Sequence, residues 1–132
     1  MSKQTVNPSS LFNSLQYGFS QITIGQGSRI VTVSGQVGWD TNEVLIAQDF
    51  AGQTDAAFAN LDVAMREAGG TLTDILSLRI YIVADQMDDM NAVSAALKKY
   101  FPNDPPTTNW IGVVRLARRE LLIEAEALAV LD

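Results

Sequence analysis

The chain contains no cysteine and no histidine among its 132 residues. Without cysteine there is no disulfide framework, no thiolate nucleophile and no thiolate metal site. Without histidine, the usual general base of serine, cysteine and ribonuclease-type mechanisms is missing, as is the commonest zinc ligand. Any catalysis must rest on carboxylates, hydroxyls, backbone groups or an ordered water. Basic residues are also scarce: 9 Lys and Arg stand against 15 Asp and Glu, for a net charge of −6 and a pI of about 4.4. That balance argues against nucleic acid as the main partner. An acidic protein can still carry a local basic patch, and Arg115, Arg118 and Arg119 form the one candidate; the spacing reads as a solvated turn. The stretch 4–28 has no charged residue, but Asn, Pro, Ser, Gln and Gly punctuate it. It therefore cannot span a bilayer and carries no secretory pattern. The expectation is a soluble, cytoplasmic protein with no membrane partner.

What is present is an ordinary globular balance, 47% apolar and 18% charged. No repeat, charge block or linker divides the chain, so residues 1–132 read as one domain. Gln21–Ile24 and Arg29–Gly35 read as two short strands around the Gly25-Gln26-Gly27 turn. From about Asp49 to Ala68 the period changes. Phe50, Ala57, Phe58, Leu61, Met65 and Ala68 recur at three- and four-residue spacing, which predicts an amphipathic helix with Gly69-Gly70 as its stop.

The next run, DILSLRIYIVAD, predicts a strand with Leu76, Leu78, Ile80 and Ile82 on one face and Ser77, Arg79, Tyr81 and Val83 on the other. A second helix is expected from about Met87 to Phe101, capped by Asp85 or Asp88 and ended by FPNDPP. Two strands, TNWIGVVRL and ELLIEAEALAV, close the chain and are expected to pair across an Ala117-Arg118-Arg119 turn. The order predicts an α+β fold: one mixed sheet with two helices packed on one face. The other face, half polar, invites a symmetric homo-oligomer.

Glu124 and Glu126 interrupt the apolar alternation of the last strand. Buried carboxylates are costly, so these two must face water, pair with something or do chemistry. Residue patterns elsewhere bear on the choice. YGFSQ at 17–21, VTVSGQ ending at Gln36, Gln53-Thr54 with Asn60-Leu61, the EAGG helix end, the DI…YIV strand, Asn91, the YF…PP run and the terminal IEAEALAV occur in an order and spacing that span nearly the whole chain. In this the sequence resembles the Rid family of reactive-intermediate (imine/enamine) deaminases, also called YjgF-like or L-PSP endoribonuclease-like proteins.

The resemblance implies a chorismate mutase-like α+β fold, assembled as a homotrimer whose sheets close into a central barrel. It implies inter-subunit clefts for a small molecule, and no metal or organic cofactor. In the deaminase branch an imino or enamino acid is hydrolysed there to a keto acid and ammonia. That reaction needs an anchor for the substrate, an activated water and a proton source. By resemblance Glu124 is the catalytic group handling water and protons, while Ser34 and Asn91 line the cleft. Thr108 stands where the deaminase branch has a carboxylate-binding arginine, in a Pro-x-Arg motif matched here by Pro106-Thr107-Thr108. Phe19 stands where the family has tyrosine, with Tyr17 two residues earlier as its possible replacement.

Structural readings stand beside these. Glu124 is open to pairing across the trimer or with backbone amides, and Glu126 reads as structural or solvated. Arg79 reads as the partner of a neighbouring carboxylate. Phe19 and Trp110 either contact ligand or fill an interface. The implied function is a trimeric protein with clefts for a small metabolite, hydrolysing an imine or enamine other than the usual amino-acid-derived ones. A binding protein without turnover is the alternative, and a ribonuclease the least favoured.

Overall fold

The computed structural model describes residues 2–132. In chain order the elements are β1 (Ser2–Val6), β2 (Ile22–Gln26), β3 (Arg29–Gln36), α1 (Phe50–Glu67), β4 (Ile75–Val83), α2 (Met90–Tyr100), β5 (Thr107–Val113) and β6 (Ile123–Leu131). A four-stranded mixed sheet runs β3-β6-β4-β5, and β1 and β2 form a separate antiparallel ribbon. Both helices cover one face. Phe58, Leu61 and Met65 of α1 and Val93 and Leu97 of α2 are buried against Leu78, Ile80, Ile82, Ile123 and Ala125. Asp49 caps α1, its carboxylate accepting from the Gly52 amide at 3.2 Å, which satisfies one of the free N–H groups of the first turn.

The expected α+β layout, mixed sheet and helix-covered face are found. The central barrel is not. The sheet is open, ending at β3 on one side and β5 on the other, so no strand pairing closes it. Four local expectations are also corrected. Residues 22–26 and 29–36 do not form a hairpin: β2 pairs with β1, whereas β3 pairs with β6. The last two strands do not pair either, because β4 lies between them, parallel to β5 and antiparallel to β6. The connection from β5 to β6 must therefore pass the end of β4, which explains its length.

The third correction is in β4. Its register with β6 shifts between Ile75 and Ser77. Ile75, not Leu76, is buried among the helices, and Leu76 packs instead beside Gly25 of β2. The bulge turns the Leu76 carbonyl towards hydroxyls of two other strands: Thr23 donates to it at 2.9 Å and Thr107 at 3.3 Å. The ribbon is thereby tied to the sheet, a role bulges often serve. Finally, α2 begins at Met90, and Asp89 holds the cap position without a side-chain hydrogen bond.

Candidate functional site

Two groups of side chains stand out, and they occupy opposite faces of the sheet. Strand register sets this. Leu78 pairs with Thr108 and Ile80 with Trp110, so Thr108 and Trp110 lie on the helix-covered side, at the β5 edge. Arg79 pairs with Glu126 and Tyr81 with Glu124, so both glutamates lie on the open side.

The β5-edge group is aromatic. Tyr17 ends a 3-10 turn over Ser14–Tyr17, and Gly18 follows at φ 97°, a left-handed conformation that favours glycine. The turn stacks the Tyr17 and Phe19 rings at 6.5 Å and brings Phe19 to 5.9 Å from Trp110. The segment is pinned to the β5 entrance by the Ser20 amide, which donates to the Pro106 carbonyl at 3.0 Å. The Trp110 indole N–H donates to the Thr108 hydroxyl at 2.9 Å. Thr108 thus accepts within the protein, and the cluster is uncharged.

The second group surrounds Glu124. A groove of about 280 Å³ is lined by Gly35, Val37, Trp39, Asp40, Asn60, Ala117, Leu121 and Glu124. Two amides of α1 hold the segments around it, and of the two only Asn60 lines the groove. Gln53, fully buried, donates to the Glu120 carbonyl at 2.9 Å and accepts from the Leu122 amide at 2.8 Å, fixing the entrance of β6. Asn60 donates to the Val37 and Trp39 carbonyls at 2.8 and 3.0 Å, fixing the segment after β3. The Glu124 carboxylate lies directly against Gly35, where an added Cβ would collide with it.

The two glutamates differ in their partners. Glu126 accepts from the Tyr81 hydroxyl at 2.7 Å, and Arg79 lies 3.8 Å from the same oxygen. The hydrogen bond to Glu126, followed by burial and the carboxylate's charge, raises the Tyr81 pKa above its ordinary value. Glu124 has neither a hydrogen bond nor an ion pair among the described residues, although it is half-buried.

The other residues singled out in the sequence lie apart. Ser34 is exposed beside Gly35, its carbonyl accepting from the Gln36 side chain at 3.2 Å. Asn91 is exposed in the first turn of α2. The arginine cluster resolves into distinct roles. Arg115 folds back onto the Leu116 and Ala117 carbonyls at 3.1 and 3.3 Å, whereas Arg118 lies over the Trp39 ring at 5.7 Å. Sequence reading missed Trp39 as a lining residue of the groove, and Gln53 and Arg118 as residues that touch the segments around it. Only the glutamine carried a local signal, as a polar residue in the stripe of an amphipathic helix.

An open mixed sheet, two helices on one face and a half-buried carboxylate in a groove at the end of the sheet define a small α+β protein. Comparison with known proteins places it. The family description Endoribonuclease L-PSP matches residues 14–131. A RutC family protein of Saccharolobus solfataricus is 32% identical over 102 residues, covering 76% of this chain and 78% of that protein. The crystal structure of YyfB, a Rid family protein of Yersinia pestis, superposes with a TM-score of 0.93 at 37% identity, covering 99% of this chain and 100% of that one. A YjgF/YER057c/UK114 family protein of Mycobacterium tuberculosis superposes at 0.69 with 29% identity, covering 98% and 100%. The chain belongs to the Rid/YjgF-like endoribonuclease L-PSP family. Among the described residues no helix is long and apolar enough to cross a membrane.

Proposed function

We propose that the chain assembles as a homotrimer whose inter-subunit clefts take a small metabolite, and that Glu124 hydrolyses an imine or enamine there. The observation that carries this is the free Glu124 carboxylate, half-buried in a groove, beside a Glu126 whose partners are already supplied. In a hydrolysis, Glu124 accepts a proton from water as the oxygen adds to the C=N carbon. It returns that proton to nitrogen to complete the carbinolamine, then takes the hydroxyl proton and passes it to nitrogen as the C–N bond breaks, leaving a carbonyl compound and ammonia; an enamine first tautomerises to the imine. Each proton taken is given back, so no cofactor is needed. The opposite-face placement of Glu124 and the Thr108–Trp110 edge supports a cleft built from two copies, because no single ligand can touch both within one chain. The ribonuclease reading is least favoured, given no histidine and a net charge of −6.

Thr108 offers no charge where the deaminase branch has its arginine, and its hydroxyl is engaged by Trp110. Turnover of 2-iminopropanoate-type substrates is therefore expected to be slight. The same observation supports the alternative, a binding protein without turnover. Ammonia release from a panel of imines and enamines, measured with Glu124→Gln in parallel, decides between them. Release abolished by the substitution supports catalysis; no release from any of them supports binding alone. Rapid, Glu124-dependent release from 2-iminopropanoate would overturn the substrate assignment. Light scattering is expected to give a trimer mass, and a monomer at micromolar concentration would overturn the cleft between copies.

A further inference from the structure

We infer that Arg118, stacked on Trp39, is the anion anchor of the Glu124 groove, and that the groove takes a small monocarboxylate whose acid group is remote from its C=O or C=N carbon. The inference rests on the proposed cleft and names its ligand class.

Elimination identifies the groups free to bind. Asp40 is occupied, its Oδ1 accepting from the Asn42 and Val44 amides at 2.8 and 3.0 Å. Both hydrogen bonds donated by Asn60 go to backbone carbonyls. Gln36 is uncharged, and its amide donates to the Ser34 carbonyl at 3.2 Å. The charged groups left are the Glu124 carboxylate and the guanidinium of Arg118, which follows the lining residue Ala117 in the chain and lies over the lining residue Trp39. Among the described residues Arg118 has no hydrogen bond or ion pair; its one recorded contact is the face of Trp39 at 5.7 Å. This cation–π contact restrains the group and engages none of its N–H donors, and arginine's planar fork can hold a carboxylate bidentately. Trp39 itself, a lining residue, has a buried indole N–H with no acceptor.

Charge fixes the orientation. Glu124 and Asp40 line the groove, and a ligand carboxylate beside them would meet like charge. Its acid group must stay at the rim with Arg118, and its uncharged unsaturated end must point towards Glu124. A 2-oxo or 2-imino acid, with the two groups adjacent, fits this polarity poorly. A 4-oxo or 4-imino acid fits it well.

The test is calorimetric titration of the intact protein with 4-oxopentanoate, 2-oxobutanoate and the uncharged 2-pentanone, following the Arg118 Nε–H resonance by NMR. The expected order of affinity is 4-oxopentanoate above 2-oxobutanoate, with the Arg118 signal shifting on binding. Arg118→Gln should weaken 4-oxopentanoate by about tenfold or more, the loss of a charge-assisted pair, and leave 2-pentanone unchanged. Arg118→Lys should restore part of the affinity. Undiminished binding in Arg118→Gln, or tighter binding of 2-oxobutanoate, overturns the inference while leaving the cleft intact. No binding by a trimeric wild type also overturns it alone; no binding by a monomer removes the cleft as well.

Discussion

Tyr81 and Glu124 are cross-strand partners in the β4–β6 register, yet the Tyr81 hydroxyl reaches past Glu124 to donate to Glu126 at 2.7 Å. That choice separates two glutamates that look alike in the sequence. Glu126 is held by a phenol and an arginine, and Glu124 is left with a free carboxylate over Gly35. The separation has a consequence for each residue.

Replacing Glu126 with Gln weakens the Tyr81 and Arg79 contacts, and a small loss of stability is expected in urea unfolding. Glu124→Gln removes no internal partner and is expected to leave stability within about 0.5 kcal/mol, as for ordinary surface changes. A larger loss from Glu124→Gln would mean the carboxylate is structural.

Gly35→Ala is expected to mimic Glu124→Gln in function. The added methyl would meet the far end of the Glu124 side chain, which can swing aside, so stability should change by less than about 1 kcal/mol. Any Glu124-dependent activity should fall with it. Retained activity would show that the carboxylate works from another position.

Gln53→Leu should be far more damaging to the fold. It leaves the Glu120 carbonyl and Leu122 amide without their partners, each a buried polar group costing about 1–3 kcal/mol when unsatisfied. A loss of roughly 2–4 kcal/mol is expected from chemical denaturation; a loss below 1 kcal/mol would indicate that the loop re-pairs.

Thr108→Arg is expected to confer or increase binding of small 2-oxo acids by placing a cation at the uncharged β5 edge. Calorimetry checks this. No gain would mean that the aromatic cluster of Phe19 and Trp110 has reshaped the cleft beyond a single side chain.

At high pH the Tyr81 phenol should ionise later than an ordinary tyrosine, because its hydrogen bond to Glu126 and its burial raise its pKa. A folded-state pKa above the unfolded one contributes stability that is present below the ordinary tyrosine value, about 10, and is lost as pH rises through the folded value. Phenolate absorbance compared between wild type and Tyr81→Phe isolates this group. Ionisation at or below the ordinary value would indicate that the bond to Glu126 does not persist in solution.

Much of the fold was legible along the chain. The period of Phe50, Phe58, Leu61 and Met65 announced α1, the change of period near Asp49 marked its start, and the alternation of Leu78, Ile80 and Ile82 announced the covered face of β4. Within the site, the contrast between apolar neighbours and the two glutamates was also visible. Each signal is local, set by side-chain direction within one element.

What the sequence by itself determined is therefore the two helices and the strands after β1, the face most of them bury, the lack of any thiol or imidazole chemistry, and family membership through spaced motifs. The tertiary structure alone decided how distant elements meet. It put β4 between β5 and β6, left the sheet open, bulged β4 at Leu76, gave Glu126 but not Glu124 a phenol, and laid Arg118 over Trp39. Strand order and register depend on pairing between segments far apart in sequence, and a one-residue shift turns every side chain to the other face. Local periodicity carries no record of that choice.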